Sequence, residues 1–385
     1  MKKLIQLLLT TTLFCAMLLC LSGCGGSDAL TLNVYNWGGD YIANGSEGSF
    51  DSIAGFEDWY EETYGEKVKV NYDTYTSNED MYAKISTGAV SYDVIVPSDY
   101  MIERLRNEDA LLPLDFDNIP NYENVDDNFH NLYYDPEDQY SVPYTYGIVG
   151  VIYDANKVDK ADATGWDLLW NKKYAGSILQ FNNPRDAFGT AMYRLGNDVH
   201  TTDHALWFKA ADALMEQKPL RYGLVMDEIF NLMESGEAAI GVYYAGDYFL
   251  MRDNQAENVD LQFYYPEPTN YFIDAMCIPK SCKNKELAEA FINYMLSEEP
   301  AVANAITISY AAPNKVVYNS EEYIDAMGKD VVEILYPDFE NFAELYNKYA
   351  SQGLEIYQIS LDADEHFWKT AADNLPWICV RDPQG

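Results

Sequence analysis

The chain has 385 residues, is 48% hydrophobic with 33 Tyr, and carries a formal net charge of -37. Its length allows two ordinary domains, each with its own core. The acidity argues against nucleic acid, which wants clustered Lys and Arg, and mildly favours cationic over anionic ligands, although acidity also keeps an exported protein soluble.

Residues 1–23 read as a targeting segment, with Lys2 and Lys3 ahead of an apolar run over 4–21. The run ends in Leu21-Ser22-Gly23-Cys24. This is similar to the lipobox of bacterial lipoproteins, which implies a lipidated Cys24 as the mature N-terminus and a body tethered to the membrane outside the cytoplasm. The alternative is an uncleaved anchor, since the run is almost long enough to span. Cys277, Cys282 and Cys379 then remain, which leaves a Cys277–Cys282 or a Cys282–Cys379 bridge open.

Residues 32–36 alternate as a strand and run into Trp37, a Gly38-Gly39 turn, Asp40 and Tyr41. Residues 49–64 have helical spacing, 68–75 read as a strand, 77–88 as a capped helix, and 93–97 as a buried strand followed by Ser98 and Tyr100. This β-α-β-α-β order predicts a parallel sheet with helices on both faces. The acidic stretch 115–127 lacks the spacing of a calcium loop and reads as solvated. Residues 140–153 form an extended run long enough to cross between domains. A short helix starts at Trp166, and residues 177–181 form a strand. Asn183 and Pro184 cap and open a helix that carries Asp186 in its first turn. A helix over 227–234 and a strand lead to Tyr244 and Asp247, and a further strand carries Phe272 and Asp274. A helix over 285–295, a loop with Tyr310, and a helical pattern over 321–368 complete the chain.

Four clusters therefore sit at strand or helix ends: Trp37/Asp40/Tyr41, Asn183/Asp186, Tyr244/Asp247 and Phe272/Asp274. In open α/β sheets ligands bind outside the carboxyl ends of strands. Rings beside carboxylates suit a ligand with an alkyl body and positive charge.

On these residues the chain resembles the polyamine-binding (spermidine/putrescine) substrate-binding proteins of ABC importers, within the type II periplasmic-binding-protein fold. The resemblance spans nearly all of the mature chain. It is carried by Tyr35-Asn36-Trp37, by Thr74-Tyr75 with Ser77-Asn78-Glu79 and Met81-Tyr82-Ala83-Lys84, and by Tyr92-Asp93 with Pro97-Ser98. Further pieces are Tyr140-Ser141 with Pro143-Tyr144, residues 166–170, Ile278-Pro279 with Lys283-Asn284-Lys285-Glu286, Pro313-Asn314, and Leu335-Tyr336-Pro337-Asp338. It implies two α/β lobes, each a mixed, mostly parallel sheet flanked by helices, with a hinge between them. Lobe 1 would be 30–142 plus 270–312, and lobe 2 would be 143–269 plus 313–385. Hinges would lie near residues 140–146, 266–272 and 311–314.

In that family carboxylates pair with the ammonium groups of the ligand and aromatic rings box its methylene chain. Carried over by position, Trp37 and Tyr41 are walls and Asp40 is an ammonium partner. Ser98 and Tyr100 match a Ser-x-Tyr lining, and Asn183 and Asp186 match two acidic positions. Tyr244 and Phe272 stand where the family has Trp. Asp247 matches an acidic position of putrescine-type members, Asp274 keeps its carboxylate, Tyr310 is a wall, and Gln358 matches a Gln. The extra glycine before Asp40 blurs its register. Asn183 removes one charge, and together with Asp247 it tilts the preference toward putrescine. The resemblance implies no cofactor. The implied partners are a polyamine, a membrane permease and its cytoplasmic ATPase.

Three other readings stay open. The same fold holds other cargo, such as thiamine, a sugar or an amino acid. An enzyme is a second class: four His are present, and His200 and His204 beside Asp203 have a metal-like spacing, but no hydrolase or phosphate-loop motif occurs. A ligand sensor signalling to a membrane partner would use the same closure.

Overall fold

The computed structural model describes residues 29–39, 41–199, 201 and 203–336. The targeting segment with Cys24, and also Asp40, His200, Gln358, His366 and Cys379, lie outside the described residues. Nine strands are present among them: β1 (Leu30–Trp37), β2 (Val68–Tyr75), β3 (Val94–Ile95), β4 (Ser141–Asp154), β5 (Ile178–Phe181), β6 (Arg221–Val225), β7 (Ile240–Tyr244), β8 (Leu261–Tyr264) and β9 (Tyr271–Cys277). They are hydrogen-bonded in the order β2-β1-β3-β9-β4-β7-β5-β6, with β8 beside β4.

The first half follows the expected β-α-β-α-β path. β1 lies parallel between β2 and β3, and its alternation buries Leu32 and Val34. The helix Ser52–Tyr64 starts three residues later than its apolar spacing suggests. Asp51 sets that start: its carboxylate accepts from the Ile53 and Ala54 amides at 3.0 and 2.9 Å. Ser77 caps the helix Asn78–Ser86 by accepting from the Asp80 amide at 3.1 Å.

β4 is the long run anticipated over 140–153, and it joins the two halves of the sheet. Residues 141–148 pair antiparallel with β9, and residues 149–154 pair antiparallel with β7 and β8. β9 reaches back to β3 through Ile95 and Cys277, while β7 continues through β5 to β6 in parallel register. The result is mixed sheet flanked by helices, as expected, but with antiparallel pairings as numerous as parallel ones because β4 pairs antiparallel with all three of its neighbours. Residues 166–170 form a 3-10 helix rather than an α-helix. Two indole N–H groups anchor it, Trp166 to the Pro268 carbonyl at 2.8 Å and Trp170 to the Ala213 carbonyl at 2.7 Å.

Cys277 and Cys282 are both free thiols, so no bridge joins them. Cys277 is fixed inside β9 between Ile95 and Ser141, whereas Cys282 lies past the Pro279 turn beside Asp93. The helical pattern after 320 breaks at Gly328 into Glu321–Met327 and Lys329–Leu335. Val317 and Tyr323 share a small core with Ala301, Val302 and Ala305 of the helix Glu298–Ile308. Residues 315–327, expected with lobe 2, thus sit on a helix that itself packs against Ser52–Tyr64 and Lys285–Met295.

Candidate functional site

The cleft is assembled from segments far apart in sequence. β1 ends at Trp37, and the chain turns through Gly38 and Gly39 to bring back Tyr41. Two side chains fasten that return. Asn304 Oδ1 accepts from the Ala43 amide and the Ser52 hydroxyl, both at 2.8 Å, and the Tyr144 hydroxyl donates to the Tyr41 carbonyl at 3.0 Å. β9 presents Phe272 and Asp274 two residues apart, hence on one face. The helix Pro184–Arg194 supplies Asp186 and the helix Ala245–Asn254 supplies Asp247, each in its first turn. Tyr310 follows the end of the helix Glu298–Ile308.

Five aromatic rings run through the site in sequence. Trp37 lies 6.3 Å from Tyr41, Tyr41 lies 6.5 Å from Tyr310, Tyr310 lies 5.7 Å from Phe272, and Phe272 lies 5.2 Å from Tyr244, centroid to centroid. Tilted and edge-on contacts of this kind are favourable. Close packing requires two glycines. A Cβ on Gly147, opposite Phe272 in the β4–β9 register, would come within 2.7 Å of both Phe272 and Tyr310. A Cβ on Gly246 would lie 2.6 Å from the Tyr310 ring.

Each of the three tyrosines ends on a carboxylate. Tyr41 donates to Asp274 Oδ2 at 2.5 Å, Tyr244 donates to Asp186 Oδ2 at 2.6 Å, and Tyr310 donates to Asp247. The pairs therefore differ from the sequence-local clusters: Tyr244 serves Asp186 rather than Asp247, and Asp274 is served by Tyr41 rather than by its own neighbours. Residues three apart at a helix start, or two apart on a strand, share a surface without touching; the partner comes from across the fold. Burial drives all three acids upward. It pushes Asp274 to about 7, offset by Ser98 and Tyr41, and Asp247 to about 7, offset by Tyr310. Asp186 is also raised by burial, against the pull of Tyr244, Arg185 and Asn270. Burial and the adjacent acids hold the three phenols well above their ordinary value, so they stay protonated donors.

Asp274 has one feature the others lack: its Oδ1 is buried without a hydrogen-bond partner. Ser98 faces it across an isolated antiparallel bridge and is itself held by the Asn78 amide group at 2.9 Å. Tyr100 lies at the edge, with its ring under the Arg185 guanidinium at 3.5 Å and its hydroxyl on Glu79 at 3.0 Å. Asn183 is a helix cap, accepting from the Arg185 amide at 3.0 Å, and it also donates to Asp186 at 2.9 Å. Asp40 and Gln358 lie outside the described residues. Among the described residues no cluster of three or more His, Cys, Asp and Glu could hold a metal ion.

Two residues of the site were not among the expected ligand residues, although Tyr144 belongs to a piece that carries the resemblance. Asn270 donates to Asp186 Oδ1 at 3.0 Å, and Tyr144 braces the Tyr41 loop. Strand period would have found the first, because Asn270, Phe272 and Asp274 are i, i+2 and i+4. Buried carboxylates along a row of rings can take a ligand with ammonium ends and an apolar body, since an ammonium leaves water only when paired.

Comparison with known proteins places this geometry in context. Residues 56–329 match the family model for bacterial extracellular solute-binding proteins. A spermidine/putrescine-binding periplasmic protein of Escherichia coli (strain K12) is 32% identical over 303 residues, covering 78% of this chain and 82% of that one. The putrescine-binding periplasmic protein PotF of the same organism is 30% identical over 303 residues, covering 74% and 78%. The crystal structure of the spermidine/putrescine ABC transporter substrate-binding protein PotD from Streptococcus pneumoniae superimposes with a TM-score of 0.67 at 32% identity, covering 90% of this chain and 97% of that one.

Proposed function

The chain belongs to the bacterial extracellular solute-binding protein family, and from that premise we propose that it captures a polyamine, putrescine or spermidine, in the aromatic cleft and delivers it to an ABC permease. Asp274 carries the reading: a carboxylate only 2% exposed, one oxygen unpartnered, at the head of a row of rings. An ammonium on that oxygen relieves an unsatisfied buried acceptor, and methylenes laid along the rings add about 0.8 kcal/mol each. Asp247 is the second acid, Ser98 and Tyr100 line the mouth, and Asp40 and Gln358 are further ligand residues by position in the family pattern.

The lobes in this proposal are 30–142 plus 270–327, residues 313–327 joining lobe 1 through their packing on the helix Glu298–Ile308, and 143–269 with the helix Lys329–Leu335, which packs against Ala245–Asn254. The hinge lies where β4 passes from β9 to β7 and where Tyr146 bridges to Ala311. Closure of the lobes buries the ligand and forms the surface read by the permease and its cytoplasmic ATPase. Cys24 is the lipid attachment point that keeps the receptor at the membrane. Among the described residues no helix is long and apolar enough to cross one.

Calorimetric titration of residues 28–385 with putrescine, cadaverine, spermidine and spermine tests the reading. Saturable binding of one amine is expected, weakened at least about tenfold, or 1.4 kcal/mol, in Asp274→Ala. If folded, ligand-free protein binds none of the four, the cation cleft is refuted, and thiamine and sugars become the cargo to try.

A further inference from the structure

The three acids of the cleft are not equivalent as acceptors. A carboxylate has about four lone-pair positions. Asp186 has three occupied by neutral donors: Tyr244 and Asn183 on Oδ2, and Asn270 on Oδ1. Asp274 Oδ2 accepts from Tyr41, and its Oδ1 accepts from nothing.

The donors around Asp186 are themselves fixed. Asn183 Oδ1 is tied to the Arg185 amide, which turns its NH₂ group toward Asp186. The Asn270 carbonyl is tied to the Val149 amide at 2.9 Å, which holds its side chain at the foot of β9. The Arg185 guanidinium, seated on the Tyr100 ring, adds positive charge beside the same acid.

An ammonium arriving at Asp274 Oδ1 gains a bond and displaces no protein donor. An ammonium arriving at Asp186 finds only one lone-pair position left, on the oxygen that the Asn270 amide already holds, and must crowd that donor to use it, so the exchange gains little. It also meets the field of Arg185.

On the polyamine reading above, we infer that Asn270 is a specificity-determining residue: by occupying Asp186 Oδ1 it closes that end of the cleft to a further ammonium, so a triamine gains no advantage there over a diamine. Asn270 itself need not touch the ligand; it acts through Asp186.

The test is titration of putrescine and spermidine into the wild-type chain, Asn270→Leu and Asn270→Asp, with thermal unfolding of each ligand-free protein. The leucine keeps the branched shape, slightly enlarged, and removes the donor. The aspartate is isosteric and replaces the donor with an acceptor. Wild type is expected to bind spermidine no tighter than putrescine. The ratio should move toward spermidine several-fold in Asn270→Leu and at least about tenfold in Asn270→Asp. Should the leucine variant fail to fold, the aspartate variant decides alone. A ratio within twofold of wild type in every folded variant, while wild type binds polyamine, overturns the inference and leaves the receptor reading intact. Wild type that binds neither amine overturns both.

Discussion

Asp274→Asn should stabilise the ligand-free protein while abolishing tight polyamine binding. Burial lifts this carboxyl from its ordinary 3.8 to about 7. A folded pKa above the unfolded one means that the stability from this group is fully present below about 4 and is lost as pH rises through about 7. At about 1.4 kcal/mol per pKa unit, burying this acid costs at most about 4 kcal/mol at pH 8 and about 1–2 kcal/mol at pH 5, where the fold must take up a proton. Asparagine cannot ionise, yet it still offers an oxygen to the Tyr41 hydroxyl, 2.5 Å away in the wild type. A chain of this size moves by about 2 °C per kcal/mol. The variant should therefore melt about 3 °C above wild type at pH 5 and up to about 8 °C above it at pH 8. Differential scanning calorimetry of both proteins without polyamine measures the gap. Adding 100 times the wild-type Kd of polyamine should raise the wild-type Tm and leave the variant unmoved. A gap that is the same at both pH values, or a variant less stable at pH 8, would refute the claim that the acid is held protonated by burial.

Three further outcomes follow from the same geometry. Polyamine affinity should fall as pH drops from 8 to 6, because Asp274 and Asp247 sit at about 7 and must ionise to pair; titrations in buffers of different ionisation heat should show proton release on binding, and a flat profile counts against both acids as partners. Gly246→Ala places a methyl 2.6 Å from the Tyr310 ring and should cost about 1–3 kcal/mol of stability by overpacking, with weaker binding read by titration. Asn304→Ala removes the acceptor shared by the Ala43 amide and the Ser52 hydroxyl and should cost about 1–3 kcal/mol; hydrogen exchange should show the loss concentrated in residues 41–52.

The strands of the first half were legible because their periodicity is local: Leu32 and Val34 face the core as the alternation requires. The long β4 was legible from its length alone. The clusters at strand and helix ends were legible from the residues themselves, whereas Ser98, Tyr100 and Tyr310 gained a role only through resemblance, since nothing in their spacing marks them. What the sequence could not disclose is the pairing. Tyr41 meets Asp274, and Tyr244 meets Asp186, because β9 and the helix Pro184–Arg194 are brought in from elsewhere in the sheet. Asn183 illustrates the opposite limit. Its capping role follows from Asn before Pro, but its donation to Asp186 depends on where the helix start is aimed. The late start of the helix Ser52–Tyr64 shows that an Asp cap outranks apolar spacing in fixing a terminus.

β9 lies in the middle of the first half of the sheet, between β3 and β4, although it is the last strand among the described residues. Synthesis therefore leaves a gap in that sheet until residue 277 has been made. The N-terminal strands cannot lock into a finished layer early, and their closure waits on contacts of very long sequence separation, which slow folding. For a family described as extracellular, such lateness is useful: a chain whose first half waits for residue 277 of 385 stays threadable over most of its length while it is still emerging.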